Sequence, residues 1–372
     1  MRADPIGLYV HIPFCKRKCD YCDFCSFAVD SVDWRREYIE ALCREIRSYR
    51  GKGLTVDTVF FGGGTPSLLS GAEFRRITDA IRESFVLSDL TEFTLEANPG
   101  ATRREDLLEY ISCGVNRISM GLQSIHENEL KILGRIHLFD DFKDTLATVR
   151  ACGITNVNVD LMYGIPEQTK ESLEETLRTI TTLSPEHISV YGLIMEEGTP
   201  FWQRQDSLNL PDADTECDMY ELACRILSEA GYGHYEISNY AKRGFESEHN
   251  LKYWRGKEYV GVGVAAHSYL DGVRYGNSTD VLAYISGVSI REDSDKCDTE
   301  EEREEYVMLK LRMREGFSLE EYSARFGEDF LSAHADSVNM LIDQGYAVAK
   351  NGRFALTEKG FYVSNSIICE LT

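Results

Sequence analysis

The chain has 372 residues, of which 43% are hydrophobic and 27% charged, and its formal net charge is −22 at pH 7. This length predicts two or three domains with a sizeable core, and the acidic balance argues against binding to nucleic acid or to an anionic membrane through basic patches. With no apolar run of about 18 residues and no signal pattern near Met1, we expect a cytoplasmic protein.

The first 200 residues alternate short β-rich runs with amphipathic stretches. The predicted strands are Ile6–Ile12, Val56–Phe61, Glu92–Ala97, Arg117–Met120, Asn156–Leu161 and His187–Tyr191. The predicted helices between them include Trp34–Arg50, Ala72–Glu83, Glu105–Cys113 and Lys170–Leu183. Six successive βα units predict an α/β fold with a parallel sheet and helices outside it. Six units rather than the eight of a TIM barrel predict an open, partial (β/α)6 barrel, with its site at the carboxyl ends of the strands.

The pattern changes after about residue 205. Pro211–Ala230 is predicted to be a helix, followed by the β-prone segments HYEISNYA, HNLKYW and YVGVGVAAHSYL. Residues 292–305 are dominated by acidic residues and are predicted to be a linker running into a helix. The remainder is predicted to be helical and to end in a hairpin around Asn351-Gly352, which indicates a winged-helix-like module. We therefore divide the chain into a core (1–205), an α+β extension (206–295) and a C-terminal module (296–372).

Three of the 11 cysteines stand in one short motif, C-K-R-K-C-D-Y-C, at Cys15, Cys19 and Cys22. Thiolates favour zinc, copper(I) or iron–sulfur clusters, and a structural zinc site needs four ligands, which Cys25 or His11 would have to complete. Three thiolates hold three irons of a four-iron cubane and leave the fourth iron open. The scattered cysteines are expected to be small buried or half-buried residues; they are Cys43, Cys113, Cys152, Cys217, Cys224, Cys297 and Cys369.

The C-x-x-x-C-x-x-C motif after a short strand, with Tyr21 before its last cysteine, resembles the signature of the radical SAM superfamily. The resemblance implies a [4Fe–4S] cluster on Cys15, Cys19 and Cys22, whose open iron is chelated by S-adenosylmethionine (SAM). In that superfamily an electron from the cluster cleaves SAM to methionine and a 5′-deoxyadenosyl radical. The resemblance also implies an electron donor such as a flavodoxin or a ferredoxin.

Further blocks resemble the superfamily's SAM-binding positions. The glycines of F-F-G-G-G-T-P-S let a ligand approach the backbone closely. By resemblance the SAM contacts are Gly63, Gly64, Thr65, Glu96, Gln123, Arg135 and Asp160, with Tyr9 and Tyr21 flanking the cofactors. The alternatives are a plain glycine-rich turn for the first three, structural or surface polar roles for the next four, and core packing for Tyr9.

The blocks YVHIPFC, FGGGTPS, EANP, GLQS, LGRIH and DLMYGIPEQT resemble one branch of the superfamily, which contains oxygen-independent coproporphyrinogen III dehydrogenase and the HemW-type heme chaperones. The dehydrogenases typically carry a fourth cysteine where this chain has Phe24, and they have a longer segment before the cysteines. The chaperone pattern C-D-F-x-S fits the segment from Cys22 to Ser26. Cys25 at the variable position is then either an extra ligand or a bystander thiol.

H-N-L-K-Y-W, from His249 to Trp254, resembles a motif proposed for heme binding in the chaperone group. The resemblance implies that His249 ligates heme, with His267 as the rival ligand and a structural histidine as the alternative. The chain would then bind heme and pass it to an acceptor hemoprotein, such as a respiratory-chain component, with peripheral contact with the membrane during delivery. The alternatives are a dehydrogenase that decarboxylates two propionates of coproporphyrinogen III and a radical SAM enzyme acting on another substrate.

Overall fold

The computed structural model describes residues 4–29, 33–287, 291–295 and 299–372. Its strands are β1 (Ile6–Ile12), β2 (Phe14–Cys15), β3 (Phe27–Ala28), β4 (Thr55–Gly63), β5 (Val86–Ala97), β6 (Arg117–Gln123), β7 (Asn156–Tyr163), β8 (His187–Gly192), β9 (Gly233–Glu236), β10 (Asn239–Ala241), β11 (Tyr259–Val262), β12 (His267–Leu270), β13 (Val273–Asn277), β14 (Arg291–Asp295), β15 (Phe317–Ser318), β16 (Ala347–Lys350) and β17 (Arg353–Leu356).

Its helices alternate with these strands in the first part of the chain and dominate the last part. They are α1 (Arg35–Arg47), α2 (Gly71–Ser84), α3 (Arg104–Ser112), α4 (Glu127–Ile132), α5 (Phe139–Ala151), α6 (Lys170–Leu183), α7 (Pro200–Gln203), α8 (Ala213–Glu229), α9 (Glu248–Trp254), α10 (Val281–Ser286), α11 (Thr299–Lys310), α12 (Leu319–Phe326), α13 (Phe330–Ala333), α14 (Ala335–Asp343), α15 (Glu358–Tyr362) and α16 (Ser364–Leu371). None of the helices in the described ranges is long and apolar enough to span a membrane.

The six predicted core strands form a parallel sheet in the order β1-β4-β5-β6-β7-β8, which confirms the predicted α/β class. All seven residues of β6 are buried, as expected for a parallel strand in the middle of a sheet. The intervening helices begin at local signals: α2 starts at Ser70, whose side chain accepts from Glu73 N while the Glu73 carboxylate accepts from Ser70 N. Sequence pattern and caps therefore agree on this half of the fold.

The sheet continues beyond the six strands at both edges, which the sequence analysis did not anticipate. β11 pairs in parallel with β1, as at Leu8 and Val260, and β12, β13 and β14 follow it in antiparallel order. At the other edge β10 and β9 add antiparallel strands to β8. The described strands thus form one twelve-stranded sheet whose edge strands are β14 and β9. This sheet contains strands from both sides of residue 205, so the division of the chain into three units stays a prediction.

Two segments differ from their predicted structure. Residues 291–295 form the edge strand β14, which pairs with β13, rather than a linker. Charged residues such as those of this segment are common on the edge strands of sheets. Residues 296–298 lie outside the described ranges. HNLKYW is not β-structure but lies in α9. The Ser247 side chain accepts a hydrogen bond from Asn250 N and caps this helix, and that signal lies just before the motif.

The C-terminal module packs α11, α12, α13 and α14 with a three-stranded sheet in the order β15-β17-β16, as expected for a winged-helix-like unit. Its hairpin turns at Asn351 and Gly352, which have φ values of 54° and 72°. Two successive left-handed residues give the tight turn that the Asn-Gly pair predicted.

The ten described cysteines are free thiols. Cys43, Cys113 and Cys224 are buried, and Cys152 and Cys217 are half-buried, as predicted. The prediction is wrong for Cys369, which is exposed on the last helix, and Cys297 lies outside the described ranges.

Candidate functional site

A cavity of about 340 Å³ opens at the carboxyl ends of the parallel strands. It brings together eleven of the thirteen residues predicted for the site: Cys15, Cys19, Tyr21, Cys22, Gly63, Gly64, Thr65, Glu96, Gln123, Arg135 and Asp160. Tyr9 and His249 do not line it. Because these residues come from six separate strands and loops, their convergence follows from the sheet topology rather than from sequence proximity.

The cysteine loop begins at Cys15, at the end of β2, and is fastened to the barrel by main-chain hydrogen bonds. Cys22 N donates to Cys19 O (3.2 Å), and Asp20 N donates to Leu133 O (3.1 Å). Phe201 N donates to Asp20 O (3.0 Å), so the loop is held from two sides. These bonds fix where the three thiols stand before any ligand binds.

The thiols are poorly solvated. Burial raises the pKa of Cys22 to about 11 and also raises the pKa of Cys15, although the Thr65 hydroxyl lies 3.7 Å from Cys15 Sγ and partly offsets the effect. Thiolates at these positions therefore need nearby positive charge, which bound iron supplies. The donor set, three free thiols on one loop facing a cavity, fits three irons of a four-iron cluster.

A mononuclear zinc site fits less well. Among the residues that the structure describes, no three His, Cys, Asp or Glu side chains stand in a geometry that would hold a metal ion. His11, the proposed fourth ligand, has Nε2 2.8 Å from Cys25 O and Nδ1 3.1 Å from the Tyr9 hydroxyl, so both ring nitrogens are engaged. The thiols themselves then remain the donors on which a metal centre depends.

Close packing against neighbouring residues requires glycine at the end of β4 and at the position after it. Gly63 has φ +108°, and a Cβ there would lie 2.5 Å from His11 Cε1. A Cβ on Gly64 would lie 2.7 Å from Phe14 O. Only glycine fits both positions, and Gly63 N is left to donate to Glu96 Oε2 at 3.2 Å.

Two carboxyl groups face the cavity and share one buried cation. Burial, reinforced by the neighbouring Asp160, raises the pKa of Glu96 to about 8. Burial also raises the pKa of Asp160, against hydrogen bonds from Asn158 and Ser119 that lower it. The guanidinium of Arg117, only 1% exposed, lowers both pKa values. Both carboxyl groups keep oxygen atoms that can accept hydrogen bonds from amino and hydroxyl groups of a ligand, and a protonated Glu96 can also donate one.

Arg135 connects the far wall of the cavity to the cysteine loop. Its Nη2 donates to Gly121 O (2.9 Å) and its Nη1 to Asn98 Oδ1 (3.0 Å). Asn98 Nδ2 in turn donates to Thr65 Oγ1 (2.8 Å), which lies against Cys15. The guanidinium thus stabilises the negative charge that the loop carries when its thiols ionise.

The cavity is also lined by residues that were not predicted from the sequence, among them Asn98, Ser119 and Tyr191. Asn98 follows β5 directly, Ser119 lies in the first half of β6, and Tyr191 lies near the end of β8. For Asn98 and Tyr191 the available signal was a polar residue at or next to the carboxyl end of an otherwise apolar strand.

Tyr9 lies in β1 and does not line the cavity. Its ring stacks on Phe60 with centroids 6.2 Å apart, and Phe60 stacks on His249 at 5.1 Å. These three rings pack in a row on β1, β4 and α9, and Tyr9 and Phe60 are half-buried. Tyr9 therefore takes part in packing beside the site, and a contact between Tyr9 and the cofactor stays a prediction.

His249 does not fit the role of a heme ligand in this fold. Its side chain is buried, Nδ1 lies 2.9 Å from Thr58 Oγ1, and Nε2 lies 2.8 Å from the Tyr253 hydroxyl. Neither ring nitrogen is open to an iron, and burial lowers the pKa of the ring to about 3. His267, the rival ligand, is exposed on β12.

The model of the radical SAM superfamily matches residues 9–180, and that of the HemN C-terminal domain matches residues 298–363. The heme chaperone HemW of Lactococcus lactis is 36% identical over 99% of this chain and 97% of its own length, and that of Escherichia coli is 35% identical over 99% and 98%. In structure, the coproporphyrinogen III oxidase HemN from Escherichia coli superposes with a TM-score of 0.85 over 99% of this chain and 90% of its own.

The structural likeness to HemN, at 23% identity, shows the shared fold. The sequence relatives extend over nearly the whole of this chain and of their own, including the cysteine loop, the strands that carry the carboxylates and the C-terminal module. The chain therefore belongs to the radical SAM superfamily and, within it, to the HemW family of heme chaperones.

Proposed function

We propose that this chain is a radical SAM heme chaperone, which binds heme and transfers it to an acceptor apoprotein. The observation that carries the proposal is the combination of full-length similarity to HemW with a three-thiol loop over a cavity at the carboxyl ends of the strands. Cys15, Cys19 and Cys22 would hold a [4Fe–4S] cluster, and its open iron would take SAM. When bound, these groups supply one-electron chemistry at the cavity.

The chain's own residues bind and orient the cofactor. Glu96 and Asp160 accept hydrogen bonds from the polar groups of SAM, with Gln123 beside them at the end of β6. Tyr21, which packs against Phe201 at a centroid distance of 6.5 Å, closes the cavity toward solvent. Arg135 balances the charge of the cysteine loop. Each of these roles is a proposal that binding measurements on single variants can test.

The heme contact is proposed to lie outside the cavity. His267 is exposed and available to iron, whereas His249 would have to leave two hydrogen-bond partners to reach it. The partners implied are heme, an acceptor hemoprotein such as a respiratory-chain component, and an electron donor of the flavodoxin or ferredoxin type. Delivery at a membrane from the cytoplasmic side stays part of this proposal.

One experiment separates chaperone from dehydrogenase. The full chain is reconstituted anaerobically with iron and sulfide, titrated with heme, and incubated with coproporphyrinogen III, SAM and a reductant. We expect about one heme per chain and no decarboxylation, because Phe24 stands where the dehydrogenases have a fourth cysteine. Decarboxylated product above background, or no heme bound at micromolar concentrations, would overturn the chaperone proposal.

A further inference from the structure

A chain of buried hydrogen bonds leads from the cavity into the interior of the sheet. Asn158 Nδ2 donates to Asp160 Oδ1 at 2.7 Å, and Asn158 Oδ1 lies 2.6 Å from His187 Nδ1. His187 Nε2 lies 2.7 Å from the Tyr235 hydroxyl. Asn158 is 3% exposed and His187 is 1% exposed, so water does not compete for these bonds.

The same chain reaches the helix that carries HNLKYW. The Tyr235 oxygen accepts a hydrogen bond from Ser247 N at 3.1 Å, and the Ser247 side chain caps α9. Four links therefore join a carboxylate in the cavity to the start of α9. The residues come from β7, β8, β9 and the turn before α9, which are brought together only by the fold.

The chemistry of the groups fixes the direction of every hydrogen. An ionised Asp160 can only accept, so Asn158 must present its amide nitrogen to it. The Asn158 oxygen then faces His187, and Ser189 Oγ also donates to this oxygen at 3.2 Å. His187 must therefore carry its proton on Nδ1, which leaves Nε2 to accept from the Tyr235 hydroxyl.

A second branch supports the same direction. Asn158 Nδ2 also donates to Ser119 Oγ (2.7 Å), and Ser119 Oγ donates to the other oxygen, Asp160 Oδ2 (3.1 Å). Both carboxylate oxygens thus receive hydrogens from the network. Burial, aided by Arg117, holds the pKa of His187 well below its usual value, so the ring is neutral and has one defined tautomer.

We propose that His187 is a positioning residue of the cofactor cavity, which orients Asn158 and through it the Asp160 carboxylate, and which connects that carboxylate through Tyr235 to the cap of α9. The inference rests on the proposed function, in which Asp160 binds SAM. His187 does not line the cavity itself. Its effect on SAM binding is transmitted by the donor on Nδ1.

Two amide substitutions separate the two ring nitrogens. In His187→Asn the amide nitrogen can take the place of Nδ1, which keeps the donor to Asn158 and loses the link to Tyr235. In His187→Gln the amide group reaches the place of Nε2, which keeps a partner for Tyr235 and leaves Asn158 Oδ1 without this donor. Both variants remove the same ring, so a purely structural role would affect both alike.

The test is the affinity of SAM for the anaerobically reconstituted full chain, measured by calorimetry together with the free energy of unfolding. We expect His187→Gln to weaken SAM binding about tenfold, the effect of one lost hydrogen bond to a buried acceptor, and His187→Asn to bind within about threefold of the parent. Equal affinities for both variants and the parent, or equal losses in both, would overturn the positioning role. Absence of SAM binding to the parent itself would instead overturn the proposed function.

A second test keeps His187 in place, so a folding defect of the His187 variants cannot affect it. The ¹⁵N chemical shifts of the His187 ring report its tautomer, and we expect the neutral Nδ1–H form at neutral pH. SAM should shift these resonances, and it should shift them much less in Asp160→Asn. The Nε2–H tautomer would reverse the two bonds that His187 makes, with Asn158 and with Tyr235, and would contradict the proposal.

Discussion

Glu236 carries a carboxyl group that is buried in the interior of the protein. It is the last residue of β9 and is fully buried, and burial raises its pKa to about 7. The side chains of Asn239 and Trp254 lie next to the carboxyl group. Within the described part of the chain, however, neither carboxyl oxygen has a partner at the distance and angle of a hydrogen bond. The protonated form is therefore favoured in the fold.

Glu236→Gln should make stability less dependent on pH. A raised carboxyl pKa contributes stability that is fully present below the ordinary value of 4.5 and is lost as pH rises through about 7. The amide cannot ionise, so we expect the variant to gain on the order of 1 kcal/mol relative to the parent at about pH 8 and nothing at about pH 4.

Urea unfolding of the cluster-free chain at the two pH values measures this gain. Glu221→Gln is the matched control, since Glu221 is exposed on α8. A parent and a Glu236→Gln variant that lose stability in parallel between the two pH values would contradict the account.

Among the elements, α9 and the sheet edges show what the sequence could and could not predict. The six core strands were predicted because short β-rich runs that alternate with amphipathic helical stretches are typical of βα units with a parallel sheet. The pairing of β11 with β1 could not be predicted, since it joins residues about 250 positions apart and no local pattern encodes such a partner. The aromatic residues of HNLKYW favoured a strand, while Ser247, which caps the helix, lies outside the motif.

The candidate site could also be predicted from the sequence only in part. The cysteines, Glu96 and Asp160 were predicted by motif, and the topology brings them to one cavity. Asn158 and His187 were missed because they lie in the first halves of β7 and β8 rather than at the carboxyl ends of these strands. The available signal was alternation: polar residues at every second position of N-V-N-V-D and H-I-S indicate that one face of these strands lines a polar interior.

Substitution of the two histidines should separate structure from heme binding at α9 and β12. His249→Ala removes two buried hydrogen bonds and a stacked ring, and we expect it to lower the free energy of unfolding by about 3 kcal/mol without changing the Soret band of bound heme. His267→Ala, at an exposed position, should shift that band and weaken heme binding with little change in stability. Heme titration and urea unfolding of both variants check this pair, and a Soret shift in His249→Ala alone would return the ligand to α9.

The whole molecule balances buried histidines against buried carboxyl groups. Burial lowers the pKa of His11, His137 and His234 to about 4 and that of His249 to about 3, and it holds that of His187 lower than usual. These rings contribute stability that is present above 6.5, their ordinary pKa, and is lost as pH falls. Glu96 and Glu236, with pKa values of about 8 and 7, contribute stability that is lost as pH rises.

We therefore expect the cluster-free chain to be most stable near about pH 6.5. Below this value the unfolded chain takes up protons on five histidines, His234 among them, while the native chain retains protons on buried carboxyl groups such as Glu96 and Glu236, so stability falls toward acid pH. Above it only the carboxyl groups act, and stability falls more slowly. Chemical unfolding across about pH 5 to 8.5 measures the profile, and stability that rises steadily to the alkaline end would contradict this balance.

The central claim is that three thiols of one loop hold a four-iron cluster with an iron open to SAM. The most direct test is anaerobic iron and sulfide analysis, with electron paramagnetic resonance of the reduced cluster, on Cys15→Ala, Cys19→Ala and Cys22→Ala beside the matched control Cys25→Ala. Cys25 stands in the same loop but hydrogen-bonds Thr279 O. We predict about four irons per chain and a SAM-dependent change of spectrum in Cys25→Ala, and loss of the cluster in the other three. A full cluster in Cys19→Ala, or a cluster lost only in Cys25→Ala, would contradict the account.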